Sequence, residues 1–417
     1  MSAAQQDLKI DGRRLWDSLM ALARIGATPA GGVNRQALTD ADRQARAQFT
    51  QWCEAAGCRV RTDAIGNLIA RLPGQNDDLP AVMMGSHLDS QPTGGKFDGA
   101  YGVMAGLEVL RAIRESGRIP PRAVELAAWT NEEGTRFAPS MMGSAVYAGL
   151  LPLEEALAVV DADGVTVAEA LRQAGVSPSG EDPGLPMAYF EAHIEQGPVL
   201  EAEGKPIGVV TAAQGQCWFR VSFQGQAAHA GSTPMNMRAD ALAAAARVVT
   251  ALNEIGKAHA PGCATAGRMV VTPNSPNVIP GSVVLSAEMR HPDDAVRSAM
   301  ESLFHEAVAA AAREHSVQVR TDKILEQPAA PFAAACMQAI RHSARQRQYP
   351  CLDIVSGAAH DAVALSRIVP SGMIFVPCAG GISHNEAESA EPDDLAAGCQ
   401  VLCDSVLAFC HGDAAGR

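Results

Sequence analysis

Histidines and carboxylates follow several short apolar runs of this sequence. The run AVMMGSHL contains His87, and a glycine-rich loop leads from it to Asp98. Later apolar runs end in segments that carry Glu132 and Glu133, His193, and His384. Imidazoles together with carboxylates are ligands that suit Zn²⁺, Mn²⁺, Co²⁺ or Ni²⁺. Each histidine alone is more often a structural hydrogen-bonding residue, but the repeated placement predicts a site for divalent cations.

The elements around these residues predict how the side chains come together. The residues before His87 have the pattern of a buried strand, and residues 99–117 have the pattern of a helix. The glycines of GGKFDG give the loop between them conformational freedom. A strand, a polar loop and a helix in this order are typical of the carboxyl edge of an α/β sheet, where ligands usually bind. Strand-like and helical runs alternate up to about Val210, so we expect a mixed or parallel sheet covered by helices.

The middle of the chain has a different pattern. Between about residues 213 and 329, strands and helices are predicted in the order βαββαβ, which is typical of a two-layer α+β unit. From about Pro331 the α/β pattern returns. We therefore expect a catalytic domain formed by residues 1–212 and 330–417, with residues 213–329 as an inserted domain.

The composition narrows the class of protein. The 417 residues carry a formal net charge of −13, which argues against a nucleic-acid surface because phosphate binding requires clustered Lys and Arg. No run approaches the roughly 18 apolar residues that span a membrane, and the first residues, MSAAQQDLKIDGRR, lack the apolar segment of a secretory signal. The ten cysteines are scattered without a CxxC pair, which indicates reduced thiols. We therefore expect a cytoplasmic enzyme without nucleic-acid or membrane partners.

The chain resembles the M20-type metallohydrolases, specifically the hydantoinase/carbamoylase branch. That branch contains N-carbamoyl-L-amino-acid hydrolases, β-ureidopropionases and allantoate amidohydrolases. The motifs that carry the resemblance lie between about Arg13 and Val406, in the order GSHLDS, GGKFDGAYGV, NEEGTRF, HIEQGP, AHAGSTPM, PNVIPG, MRHP, SGAAHDA and GISHNE. One motif departs from the family pattern, because Ala359 stands where SGAGHDA has glycine. The added methyl group bears on fine specificity and not on the class of reaction.

The resemblance implies a metallopeptidase-like catalytic domain with two divalent metal ions per chain, Zn²⁺ first and Mn²⁺, Co²⁺ or Ni²⁺ as alternatives. One ion would be held by His87, Asp98 and His193, and the other by Asp98, Glu133 and His384. Asp98 would therefore bridge the two ions. Three protein ligands per ion leave an open position for a shared water. The neighbouring Glu132 would act as the general base, since adjacent extended residues point in different directions.

The resemblance also implies a set of substrate-binding residues. His229 would stabilise the developing oxyanion and could reach across a dimer interface, while Asn277 and Arg290 would bind a substrate carboxylate. Gln196 would contact the ureido group. The motif SGAAHDA contributes Ser356, Gly357 and His360 on the substrate side, with a position behind the site as the alternative for His360 and Asp361.

The expected activity is that of a binuclear metal-dependent amidohydrolase. It would convert N-carbamoyl-L-amino acids or N-carbamoyl-β-alanine, small substrates with a carboxylate and a ureido group, to the amino acid, CO₂ and ammonia. Allantoate amidohydrolase is the near alternative, and an M20 aminoacylase or dipeptidase is a more distant one. A binding protein without catalytic activity on the same scaffold is the remaining class.

The inserted domain is expected to have two roles. Its predicted strands leave a free sheet edge, which requires cover or a partner, and a twofold homodimer would pair this edge with its own copy. Hinges near Ala213 and Ala329 would allow the same domain to close over the donors as a lid.

Overall fold

The structure is a computed structural model that describes residues 8–178 and 184–412. Its helices are α1 (Gly12–Leu22), α2 (Asp40–Ala55), α3 (Ala100–Glu115), α4 (Met142–Tyr147), α5 (Leu153–Ala158), α6 (Val167–Gln173), α7 (Val199–Glu203), α8 (Ala241–Ala258), α9 (Asp294–Glu314), α10 (Ala334–Gln346), α11 (Asp361–Leu365) and α12 (Pro392–Cys410). Its strands are β1 (Arg59–Thr62), β2 (Leu68–Leu72), β3 (Val82–His87), β4 (Val124–Trp129), β5 (Ala188–Ile194), β6 (Ile207–Ala213), β7 (Gly215–Gln224), β8 (Ala228–His229), β9 (Cys263–Thr272), β10 (Val278–Ile279), β11 (Ser282–His291), β12 (Gln318–Gln327), β13 (Ala330–Pro331), β14 (Cys351–Ser356) and β15 (Ser371–Val376).

A mixed sheet organises the two ends of the chain. Its strands follow the order β1-β2-β4-β3-β5-β15-β6-β13, and β14 pairs with β6. The four central strands β4, β3, β5 and β15 are parallel to one another, and β1, β2, β6 and β13 pair antiparallel. The predicted class of a mixed α/β sheet is confirmed. Because the central strands are parallel and adjacent, their carboxyl ends meet at one edge.

The central strands are buried along their whole length because both faces of the sheet are covered. All residues of β3, β4, β5 and β15 are buried. Along β3, Met84 belongs to the core that includes residues of α1, α3 and α12, whereas Met83 belongs to the core that includes residues of α11. Each fully buried side chain of this size stabilises the fold by about 1.5–3 kcal/mol. The rigid sheet therefore gives the loops at its edge fixed starting points.

Residues 212–331 form a second compact unit, and residues 1–211 with 332–417 form the first. The second unit has an antiparallel sheet in the order β12-β7-β11-β9 with α8 and α9 packed on one of its faces. Along β7, Cys217, Phe219, Val221 and Phe223 alternate into the core shared with these helices, as a half-exposed strand requires. The predicted order βαββαβ is present, and the short pair β8 and β10 is additional.

Two further features concern the whole described chain. None of the helices in the described residues has both the length and the apolar character that a membrane span requires. The ten cysteines are all free thiols, and most of them are buried.

Candidate metal centre

The predicted donors lie at the carboxyl ends of the four parallel strands. His87 is the last residue of β3, and His193 is the last but one of β5. Glu132 and Glu133 follow the end of β4 after a short bend, and His384 lies in the loop after β15. Since these strands are neighbours in the sheet, the fold brings together residues that are far apart in the sequence.

Three of these residues form the buried group, which we define as His87, Asp98 and His193. Oδ1 of Asp98 lies 3.6 Å from Nε2 of His87 and 3.3 Å from Nε2 of His193. All three side chains are almost completely buried, and their donor atoms lie within 4.8 Å of one another. The close approach of His87 explains one glycine of the loop, because a Cβ at Gly99 would lie 2.3 Å from the His87 ring.

The hydrogen bonds of the two imidazoles identify their tautomers. Nδ1 of His87 lies 2.9 Å from the carbonyl oxygen of Asp89, and Nδ1 of His193 lies 2.9 Å from that of Ile194. A carbonyl oxygen only accepts, so each Nδ1 must carry the proton. With a proton on Nδ1, each ring directs its Nε2 toward Oδ1 of Asp98, and Nε2 of His193 also lies 3.0 Å from the backbone nitrogen of Gly99. Two imidazole nitrogens and a carboxylate oxygen that face one another are the arrangement that a cation stabilises.

The second set of donors is the open group, which we define as Asp98, Glu133 and His384. Nε2 of His384 lies 3.4 Å from Oδ2 of Asp98 and 3.5 Å from Oε2 of Glu133. Gln91 fixes the carboxylate of Glu133 with its backbone N–H at 3.1 Å and its side-chain amide at 2.6 Å. The His384 side chain is 51% exposed. The two oxygens of Asp98 therefore face two different groups, as a bridging carboxylate requires.

The electrostatics of both groups favour a cation. Burial, together with the nearby charge of Asp98, raises the pKa of Glu133 to about 8, and burial raises the pKa of Glu132 well above its ordinary value. Burial alone would lower the pKa of His87, but Glu132 and the surrounding carboxylates raise it well above the ordinary value. The pocket thus contains more buried negative charge than its own residues neutralise. The donor set of imidazoles and carboxylates fits Zn²⁺ or a similar divalent ion.

Asp89 arranges the two adjacent glutamates. Its Oδ1 accepts the backbone N–H of Glu132 at 3.2 Å, and its Oδ2 accepts that of Glu133 at 3.1 Å. Oε2 of Glu132 then lies 3.5 Å from His87, whereas Glu133 faces His384. The two side chains do diverge, but the expected extended backbone is wrong. The segment is a bend that begins at Asn131 with φ of +55°, and Asp89 holds it. Asp89 was not among the predicted site residues, although its position two residues after His87 is visible in the sequence.

Among the predicted substrate residues of the first unit, Gln196 and His360 contact different predicted metal donors. Nε2 of Gln196 donates to Oδ2 of Asp98 at 2.8 Å, while its buried Oε1 has no hydrogen-bond partner. Nε2 of His360 lies 2.9 Å from Oγ of Ser356, and the His360 ring packs edge-on against His193 with centroids 4.6 Å apart. Gly357 is exposed. Gln196 thus lies among the proposed ligands, whereas His360 supports one of them from behind.

Asp361 lies deeper than the other residues of this motif. Its side chain is fully buried, and its carboxyl oxygens have the Ser144 side chain nearby but no hydrogen bond of ordinary geometry. Burial, with Glu191 nearby, raises the pKa of the Asp361 carboxyl well above its ordinary value. The position behind the site, which was the alternative for Asp361, agrees with this burial.

The remaining predicted residues lie in the second unit. Nδ1 of His229 accepts the backbone N–H groups of Gly231 and Ser232 at 3.0 and 3.2 Å. The N–H of Ala230 donates to the carbonyl oxygen of Asn277 at 2.9 Å, so the unit holds these two predicted residues on adjacent backbone segments. The acceptor role of Nδ1 leaves the proton of a neutral His229 ring on Nε2.

Arg290 has an acidic neighbour on its own strand. Its Nη2 lies 3.1 Å from Oε2 of Glu288. The two residues are separated by two positions on β11, so their side chains project from the same face of the strand. A substrate carboxylate would therefore compete with Glu288 for the guanidinium group.

Comparisons with known proteins identify the family to which the chain is similar. Residues 83–408 match the family described as Peptidase family M20/M25/M40. The chain is 41% identical to an N-carbamoyl-L-amino-acid amidohydrolase of Rhizobium meliloti over 98% of both chains. It is 35% identical to a ureidoglycolate hydrolase of Arabidopsis thaliana, over 95% of this chain and 86% of that protein. A hydantoinase/carbamoylase family amidase from Burkholderia multivorans has 50% identity and a TM-score of 0.94, with coverage of 96% of this chain and 98% of that one.

Proposed function

Since this chain belongs to peptidase family M20/M25/M40, we propose that it is a metal-dependent amidohydrolase that converts N-carbamoyl-L-amino acids to the amino acid, CO₂ and ammonia. The observation that carries the proposal is the position of Asp98, whose two oxygens face the buried group and the open group. Glu132, a buried carboxylate, lies beside them. The name of the Rhizobium meliloti relative supports the class of substrate.

We propose that the buried group and the open group hold one divalent ion each, with Zn²⁺ as the first choice and Mn²⁺, Co²⁺ or Ni²⁺ as alternatives. Asp98 would be shared between them. Divalent cations held there would supply Lewis-acid activation of a water molecule and of the carbamoyl oxygen. The residues around the donors keep the tautomers and carboxylate orientations that this binding requires.

Glu132 is the residue that would move the proton. Burial raises the pKa of Glu132, and divalent cations held beside it would lower that pKa again, which suits a group that must accept and then release a proton. Glu132 would take a proton from water as the oxygen adds to the carbamoyl carbon. It would then give the proton to the amino-acid nitrogen as that C–N bond breaks. The remaining carbamic acid decomposes to CO₂ and ammonia, so the atoms balance.

The second unit would recognise the substrate. Nδ1 of His229 accepts two backbone N–H groups, so its Nε2 would carry a proton and donate. A hydrogen-bond donor is what an oxyanion requires. Arg290 and Asn277 would bind the substrate carboxylate. In the first unit, the unpartnered Oε1 of Gln196 would accept an N–H of the ureido group.

Replacement of Arg290 by alanine tests the carboxylate contact. Loss of two hydrogen bonds to a buried substrate carboxylate should cost on the order of 2–4 kcal/mol of binding free energy. KM should therefore rise about 30- to 1000-fold, while the metal content stays the same. An unchanged KM would remove Arg290 from the binding site. Since Glu288 competes for the guanidinium group, Glu288→Gln should have the opposite and smaller effect.

We propose that the protein acts as a cytoplasmic homodimer. The ten free thiols suit a reducing compartment. In the sheet of the second unit, β12 and β9 are edge strands, and a copy of the chain would cover such an edge. Mixing inactive Glu132→Gln chains with inactive His229→Ala chains tests whether His229 acts across the interface. Activity should return in mixed dimers, whereas no recovery despite subunit exchange would assign His229 to its own chain.

Ureidoglycolate hydrolysis is a second candidate, because a relative of that name matches nearly the full length of the chain, and its substrate also joins a ureido group to a carboxylate. A single panel separates the candidates. It measures ammonia release from N-carbamoyl-L-amino acids, N-carbamoyl-β-alanine, allantoate and ureidoglycolate, and amine release from N-acyl amino acids and dipeptides. We expect N-carbamoyl-L-amino acids to have the highest kcat/KM. Turnover of acyl or dipeptide substrates alone would contradict the proposal.

A further inference from the structure

A buried carboxylate joins two loops that carry proposed metal ligands. Oε1 of Glu388 accepts the backbone N–H groups of Phe97 and Asp98 at 2.8 and 3.1 Å. Its Oε2 lies 2.9 Å from Oγ of Ser383, and that hydroxyl is also 2.7 Å from Oδ2 of Asp98. Glu388 is only 4% exposed. One side chain thus contacts both the loop between β3 and α3 and the loop that follows β15.

The backbone of the Asp98 loop is shaped to accommodate this carboxylate. A Cβ at Gly95 would lie 2.0 Å from Cδ and Oε1 of Glu388 and 2.3 Å from its Oε2. Gly95 does not adopt a left-handed φ, so an alanine would suit the backbone itself. The glycine is therefore required because the Glu388 carboxylate approaches so closely, and any larger residue would displace that carboxylate.

The position of Glu388 in its own loop is also fixed. Its backbone N–H donates to the carbonyl oxygen of Asn385 at 3.0 Å, and the Asn385 side chain accepts the N–H of Ala387 at 2.9 Å. This turn begins directly after His384. The carboxylate that holds Asp98 therefore belongs to the same short turn as the histidine of the open group.

We propose that Glu388 is a positioning residue that places the Asp98 carboxylate between the two donor groups and aligns it with His384. The proposal rests on the metal centre described under the proposed function. Glu388 belongs to neither set of donors, so it acts by fixing the loops. The buried group obtains His87 and His193 directly from strands, whereas the open group depends on the contact between the two loops. Loss of Glu388 should therefore weaken the open group more.

Replacement of Glu388 by alanine and by glutamine tests this role through metal binding and not through activity. Zn²⁺ binding to metal-free protein is measured by equilibrium dialysis. Residues that orient ligands typically contribute about 10–100-fold to metal affinity. Glu388→Ala should therefore lower the affinity of the open group for its ion by that factor and leave the affinity of the buried group nearly unchanged. Glu388→Gln should restore most of the affinity, because its amide oxygen can still accept the N–H groups of Phe97 and Asp98.

Glu108 provides a matched control. It is also a fully buried glutamate of the same unit, and its carboxylate accepts the backbone N–H of Asp11 at 2.8 Å and binds Arg14. Glu108→Gln should lower the thermal stability and leave the affinities for both ions unchanged. This contrast separates a general loss of stability from a specific loss of ligand position.

The substitution Gly95→Ala tests the same contact from the other side. Its methyl group should displace the Glu388 carboxylate and should lower the affinity of the open group for its ion as Glu388→Ala does. Since Gly95 acts only through Glu388, the double variant Gly95→Ala/Glu388→Ala should be no weaker than Glu388→Ala alone. Additive losses would mean that the two residues act independently, which contradicts the proposal.

Each outcome has a defined meaning. If Glu388→Ala binds both ions with wild-type affinity, the proposal is wrong. If Glu388→Ala does not fold, as judged by circular dichroism, Gly95→Ala and Ser383→Ala decide the question, and wild-type affinity for both ions in these two variants overturns it. If the wild-type protein itself binds no divalent ion, the proposed function fails first, and the role of Glu388 fails with it.

Discussion

The buried group and the open group share Asp98 but differ in what holds their other ligands. His87 and His193 belong to strands of the sheet, and backbone carbonyl oxygens fix both rings. Glu133 and His384 lie in loops, where Gln91 orients the carboxylate and the His384 side chain is 51% exposed. One half of the centre is thus preorganised by the fold, whereas the other half depends on loop contacts. We expect the first half to bind its ion more tightly.

Replacement of the shared ligand should have the largest effect. In Asp98→Asn the neutral amide cannot place an anionic oxygen in each group, so both ions should be lost and hydrolysis should fall to background. Elemental analysis after dialysis measures the metal content. An Asp98→Asn protein that keeps two ions would contradict the bridging role and remove the basis for the comparison.

Replacement of the proposed base should have the next largest effect on activity. It should leave metal binding by the buried group and by the open group unchanged. In Glu132→Gln the amide keeps the shape of the side chain but cannot accept a proton, so kcat should fall by about 10²–10⁴-fold. Both ions should stay bound, because Asp89 fixes this segment by accepting the backbone N–H groups of Glu132 and Glu133, which the substitution leaves in place. Loss of metal in this variant would mean that Glu132 is a ligand.

Removal of one histidine from each group compares the groups directly. His193→Ala should lose the tighter ion and His384→Ala the weaker one, each by more than the roughly 10–100-fold that an orienting partner contributes. In the wild-type protein, a chelator added in steps should remove the ion of the open group first. Zn²⁺ release followed with a colorimetric indicator should therefore show two phases, and only the slow phase should persist in His384→Ala. A single phase in the wild-type protein would mean that the groups do not differ.

Proton release on metal binding is the smallest expected effect. A carboxyl group with a pKa of about 8, as for Glu133 in the open group, is mostly protonated at pH 7, and a cation binds only its ionised form. The raised pKa of His87 has the same consequence in the buried group. Zn²⁺ binding at pH 7 should therefore release protons from both groups, and release should decrease as the pH rises above 8. Calorimetry in two buffers with different ionisation enthalpies measures it, and binding enthalpies that do not depend on the buffer would contradict it.

The sequence predicted much of this site because each donor follows an apolar strand. A buried strand limits where its last residue can lie, so His87 and His193 could be placed from the local pattern alone. The pairing of β3 with β4 and β5 depends on contacts between distant segments, and no local pattern encodes the sheet order. The assignment of each donor to a particular group came from the family resemblance.

Residues that act through hydrogen bonds to the backbone were not found in the sequence. Asp89 holds two N–H groups that exist as partners only after the chain bends at Asn131. Glu388 binds a loop almost 300 residues earlier in the chain. The pairing of Arg290 with Glu288 was visible as a spacing of two on a strand, but the sequence alone did not identify Glu288 as the partner.

The central claim is that Asp98 joins two metal ions in one centre that hydrolyses a ureido group. The most direct test is a titration of the metal-free protein with Zn²⁺ while ammonia release from an N-carbamoyl-L-amino acid and bound metal are measured in the same samples. We predict two ions per chain, with the rate rising as the second ion binds and reaching a plateau at two equivalents. Full activity in protein from which chelation has removed all metal, or a plateau at one equivalent, would contradict it.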